Sequence, residues 1–182
     1  MGHREVKAAV AERLIDLLPG YLPDPVWVGI ADFMPADESR WPFAIVRTSR
    51  MTGSRNTGGG QLRCRYRVEV AVGVRAPIAD ADEARAATTD TRDDLLTAAR
   101  NALLWRRMLT TDIRIPTGQH LEETRPSVQP ASGSAWIALG TLTIDVATIE
   151  EVPRPSTVPA PAVITTAEVD VDMHPLDTQQ IS

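Results

Sequence analysis

The sequence predicts an α+β fold: a mostly antiparallel sheet with a long basic β-hairpin, two helices packed on one face, and an extended C-terminal arm. Three observations carry this. Between Gln61 and Ala76, Leu62, Cys64, Tyr66, Val68, Val70, Val72 and Val74 alternate with Arg63, Arg65, Arg67, Glu69 and Arg75, and a period of two puts the two sets on opposite faces of one strand. Two stretches, residues 3–18 and 80–107, space their apolar side chains as helices do. Prolines 153, 155, 159 and 161 then break the pattern, so that the chain divides into a domain over 1–152, a linker over 153–161 in polyproline style, and an acidic arm over 162–182.

Taken in order, the first helix carries Val6, Val10, Leu14, Leu17 and Leu18 on one stripe and is stopped by Pro19 and Gly20, because proline cannot continue the hydrogen-bond ladder. Tyr21 to Pro25 connects to a short strand at Val26–Ile30, and Ala31 to Arg40 is an acidic loop. Asp37 and Glu38 in that loop read as solvated acids, not as a general acid and base. Trp41 to Ser49 is the second β-prone run. Arg50 to Gly60, polar and ending in three glycines, joins it to the long strand as the tip of a hairpin. At roughly 3.3 Å per residue the long strand spans about 50 Å, and Gly73 is the candidate site for a bulge.

Pro77 ends that strand, and Asp80, Asp82 and Glu83 open the second helix, where acids suit the positive end of the helix dipole. Its expected buried stripe is Ala84, Ala87, Thr88, Thr91, Leu95, Ala98, Ala99, Ala102 and Leu103, with Leu104 and Trp105 filling the wider part of the core. Met108 to Pro130 reads as irregular, with a brief strand around Ile113 to Ile115 and a turn at Pro116-Thr117-Gly118. Ala135 to Ile149 is a clear final strand. If it pairs with the long strand, Asp145 and its neighbouring threonines face the arginine row, and neutralisation within the molecule is one account of those arginines.

Charge is unevenly spread. Arg40 to Arg75 holds eight arginines and one acid, a net +7, against −5 for the whole chain, which leaves −12 elsewhere. From Glu151 onward there are five acids and one arginine, a net −4, and Glu168, Asp170 and Asp172 alternate with Val169 and Val171. Such polarity suits a polyanion or the acidic surface of a second copy. Arg47, Arg50, Arg55, Arg63, Arg65 and Arg67 are therefore the candidate interface, with Asp145, Glu168, Asp170 and Asp172 as candidate acidic partners.

Catalytic chemistry is not suggested. One cysteine, Cys64, lies on the apolar face of the long strand, and His3, His120 and His174 are scattered. His120-Leu-Glu-Glu lacks the second histidine of a helical zinc motif, and the triple glycine lacks the lysine and hydroxyl of a phosphate loop. No catalytic, cofactor or metal residue is expected, so the protein reads as a non-enzyme. No apolar run approaches the roughly 18 residues of a membrane span, and charges spread through residues 1–20 argue against a secretory signal. The expectation is a soluble protein made in the cytoplasm.

The order helix, short strand, long basic hairpin, long helix, final strand resembles the tail terminator, or tail completion, proteins of long-tailed bacteriophages of the lambda type. The likeness covers about residues 3 to 150 and rests on the first helix, on Cys64-Arg-Tyr-Arg-Val-Glu-Val-Ala-Val, on Thr91-Arg-Asp-Asp-Leu-Leu-Thr-Ala-Ala-Arg-Asn-Ala-Leu, and on Trp136-Ile-Ala-Leu-Gly-Thr-Leu-Thr-Ile. It implies a virion subunit that forms a ring, expected to be hexameric, on the head-proximal end of the tail tube. Such a ring ends polymerisation of the major tail tube protein, offers a docking surface to the head-side connector or stopper, and lets DNA pass without sequence-specific binding. Tail channels tend to be acidic, which implies that the arginine hairpin faces protein. Three other readings stay open at this stage: another head–tail neck protein, a nucleic-acid-binding module using the arginines on phosphates, and an enzyme or ligand carrier whose long strand lines a pocket.

Overall fold

A computed structural model describes residues 2–47, 50–77, 81–118, 121–131 and 135–152. The expected linker and acidic arm, with Glu168, Asp170 and Asp172, lie outside the described residues, as does His120. The elements are helices α1 (His3–Leu17) and α2 (Ala81–Trp105) and strands β1 (Trp27–Ile30), β2 (Phe43–Val46), β3 (Arg50–Gly58), β4 (Gln61–Pro77), β5 (Ile113–Arg114), β6 (Glu122–Thr124), β7 (Gln129–Ala131) and β8 (Ala135–Glu151). They form one mixed, curled sheet of eight strands with both helices in its core, so the fold is α+β. All described pairings are antiparallel except that of β1 with β2.

The spine is the pairing of β4 with β8, seventeen residues each, in unbroken register from Gln61 opposite Glu151 to Pro77 opposite Ala135. Along it Cys64, Tyr66, Val68, Val70, Val72, Val74, Leu142, Ile144 and Val146 form one face, which packs with Val6, Val10 and Leu14 of α1 and Leu95, Leu96, Ala99 and Leu103 of α2. Full burial of an aliphatic side chain of this size contributes about 1.5–3 kcal/mol before chain entropy is subtracted. Gly140 lets α2 approach closely: a Cβ there would lie 2.7 Å from Leu96 Cδ1.

Several expectations are corrected. Arg50–Gly58 is a strand, not a polar connector: its backbone pairs with β4, whose unpaired hydrogen-bonding groups are a template that needs no apolar pattern. The turn is Gly59 and Gly60, both at positive φ (62° and 80°), which glycine adopts without steric cost. Gly73 is no bulge. It stays in register with β2 and β8, and its missing side chain makes room for Phe43, whose ring atoms would lie 2.4 Å from a Cβ. The register shifts fall in β3 instead, at Met51/Gly53 and Asn56/Gly58. On α2, Ala87 and Thr91 are exposed and Trp105 is 72% exposed, while Arg92 and Leu96 are buried. The stretch read as irregular supplies β6 and β7, which both pair with β8.

Candidate functional site

The surface opposite the helices is built by β3, β4, β8 and β5, and its composition follows from register. Alternation sends Arg63, Arg65 and Arg67 away from the face that holds Cys64 and Tyr66. On one flank, Arg50 stands opposite Arg67 and Arg55 opposite Arg63. Arg50 and Arg55 are five residues apart, so a regular strand would send them to opposite faces; the bulge at Met51/Gly53 inserts one residue and puts both beside the β4 arginines. Arg47 joins the group, its backbone N–H donating to the carbonyl of Glu69 (2.7 Å).

The other flank decides how much of this charge is neutralised. Arg67, Arg65 and Arg63 face Asp145, Ala147 and Ile149 of β8. Only the first of these carries charge, and Arg67 Nε lies 3.2 Å from Asp145 Oδ1. Beyond Ala147 in the same row stands Arg114 of β5, a seventh arginine, exposed and without an ion pair among the described residues. Arg47, Arg50, Arg55, Arg63 and Arg65 likewise make no salt bridge among the described residues, and Arg47 Nε is buried with no hydrogen-bond partner there. Neutralisation within the fold therefore accounts for Arg67, and for Arg75 through Glu38. Like charges directly opposite one another in a sheet destabilise it, so the pairs Arg50/Arg67 and Arg55/Arg63 are retained against a local cost.

Two open depressions adjoin the patch. One of about 550 Å³ is lined by Arg50, Arg67, Glu69, Glu122, Thr124, Thr141 and Thr143; the other, about 120 Å³, lies between Arg63, Arg114 and Ile149. In neither does a hydrogen bond join a hydroxyl to a carboxylate among the described residues. Cys64 lies on the buried side, where burial first and the Glu150 carboxylate second push its thiol up, away from the reactive thiolate. Tyr66 beside it donates to Glu150 Oε1 (2.5 Å) and meets His3 edge-on, ring centroids 4.8 Å apart, which closes the core beneath the arginines. Asp37 caps one short turn, accepting from the Ser39 backbone N–H (2.9 Å), and the Ser39 side chain first and that backbone bond second hold its carboxyl below the usual range.

Among the described residues no group of three or more His, Cys, Asp or Glu side chains is placed to hold a metal ion, and no helix is long and apolar enough to cross a membrane. Arg114 escaped the sequence reading because a lone arginine in a two-residue strand has no periodicity to announce it. The chain is an α+β protein with an arginine-lined sheet face. No family model matches it, and no curated protein does either.

Proposed function

We propose that the chain is a structural subunit of a bacteriophage tail, without enzymatic activity, that assembles into a ring at the head-proximal end of the tail tube. The ring, taken as a hexamer, stops tube growth and presents a surface to the head-side connector, with DNA passing through its hole. The observation that carries this reading is the arginine face: Arg47, Arg50, Arg55, Arg63, Arg65 and Arg114 stand together with no salt bridge among the described residues. A basic patch on a chain of net charge −5 suits contact with an acidic patch on an identical neighbour, and repetition of such a head-to-tail contact closes a ring. The element order supports the phage assignment as a resemblance.

Mass photometry and sedimentation velocity, run on the purified protein alone and with purified tail-tube protein, test the proposal. The expected result is a closed ring that binds tube ends and stops their extension. A protein that stays monomeric and never binds tube ends overturns it. Rings that bind the connector but not the tube would move the assignment to another neck protein. DNA retention at low salt that falls steeply as salt rises would favour contact with phosphates instead.

A further inference from the structure

We infer that the acidic segment Ala162–Asp172 of one copy adds as a strand to the open edge of β3 in the next copy, with Glu168, Asp170 and Asp172 set against the arginine face. This deepens the ring reading and rests on it, since it names the segment that joins neighbours.

Four observations converge on this edge. Among the described strands, β3 pairs only with β4, so its far side presents unpaired backbone donors and acceptors, and every residue from Arg50 to Gly58 is exposed. Edge strands of this kind invite strand addition. The bulges and arginines of β3 guard against indiscriminate pairing, and arginine at the edge selects for an acidic strand. The second observation is a shared period. Glu168, Asp170 and Asp172 recur every second residue, as Arg63, Arg65 and Arg67 do, so an extended arm would project all three acids to one side. A strand added about 5 Å beyond β3 would put those acids next to Arg50 and Arg55.

Third, the opposite side of the arm also matches. Val169 and Val171 would then fall on the side of Met51, which is 46% exposed, and of half-buried Leu62. The fourth observation concerns reach. The described chain leaves β8 at the hairpin tip, where the Val152 N–H donates to the Gly60 carbonyl (2.8 Å). Nine residues of polyproline character, 153–161, span about 28 Å, whereas the chain's own β3 lies two strand spacings, about 10 Å, from β8. A stiff spacer of that length overshoots its own edge and suits a neighbour's.

The test uses the full chain in two charge-reversed forms: an arm variant, E168R/D170R/D172R, and a face variant, R50E/R55E. Circular dichroism and denaturation first establish that each is folded. Each alone is expected to associate roughly 10- to 100-fold more weakly than the parent, as two or three exposed ion pairs imply. A 1:1 mixture should recover the parent mass, because the basic arm of one form meets the acidic face of the other. Recovery by mixing requires contact between copies.

If both variants assemble as the parent does, the arm inference is overturned and the ring reading stands. If the parent stops at a dimer but mixing still restores it, the ring reading falls and the arm contact stands. Loss in each variant with no recovery on mixing places the arm on its own chain and overturns the inference. Should R50E/R55E fail to fold, E168Q/D170N/D172N is read instead by amide exchange of Arg50–Gly58 at low and high protein concentration. Protection that rises with concentration in the parent and is absent in the variant supports the contact between copies; equal protection in both overturns it.

Discussion

Two groups of arginines occupy this molecule under opposite rules. Between α2 and the segment around β6, Arg92 donates to Asp93 (2.8 Å) and to the carbonyl of Pro126 (2.7 Å), Arg100 to Glu123 (3.0 Å), and Arg125 to Glu123 (2.6 Å) while lying 3.7 Å from Asp93. Each of these three arginines has a carboxylate, and together they strap the segment around β6 to the helix. At the other end of the sheet, Arg67 alone meets a carboxylate, that of Asp145, and the remaining arginines of the row stand opposite arginines, alanine and isoleucine. The contrast teaches that arginine content alone says nothing about availability. One cluster is consumed in holding the fold together, and the other, Arg67 apart, makes no salt bridge among the described residues.

Substitutions break the contrast in order of size. Arg92→Ala should have the largest effect, a loss of about 1–3 kcal/mol in denaturant unfolding, because Arg92 is buried and its removal deletes the charge-assisted bonds to Asp93 and to the Pro126 carbonyl together with the packing of its stem. Tyr66→Phe, beneath the open arginines, should cost about 1 kcal/mol near neutral pH and should also change the alkaline limb. Burial, then the bond to Glu150, raises the Tyr66 phenol above its ordinary value near 10. Above that value the unfolded chain loses a proton that the native one keeps, so stability falls as pH rises past about 10. Urea midpoints measured from pH 8 to 11 should show this decline in the parent and a smaller one in Tyr66→Phe.

Smaller still, Asp145→Asn removes the carboxylate paired with Arg67 and should cost at most about 1 kcal/mol. Arg63→Gln and Arg65→Gln should leave the unfolding midpoint in place, since no partner within the described fold is lost, yet weaken self-association in sedimentation. A midpoint that fell sharply in Arg65→Gln would show this cluster to be structural too and would erase the contrast.

Much of the scaffold was legible. The long strand, the final strand and the first helix each announce themselves by a local period, and the structure has them at Gln61–Pro77, Ala135–Glu151 and His3–Leu17. β3 was not legible: Arg-Met-Thr-Gly-Ser-Arg-Asn-Thr-Gly has no apolar alternation, because no residue of it is buried and its pairing is supplied by the backbone of β4. Arg92 was hidden for the converse reason. A charge inside a helix reads as a solvated residue until a distant carbonyl and a neighbouring acid enclose it.

Of the candidate site, the row Arg63, Arg65, Arg67 on one side of a strand was determined by sequence alone, since side-chain alternation is a property of neighbouring residues. Which of them would be neutralised was decided by the tertiary structure. Register across β8 gives Asp145 to Arg67 and leaves Arg65 and Arg63 with Ala147 and Ile149. A bulge brings Arg50 and Arg55 to the same surface, and β5 delivers Arg114. Partners are set by pairing between segments some eighty residues apart, such as Arg67 and Asp145, and such pairing is a property of the whole sheet.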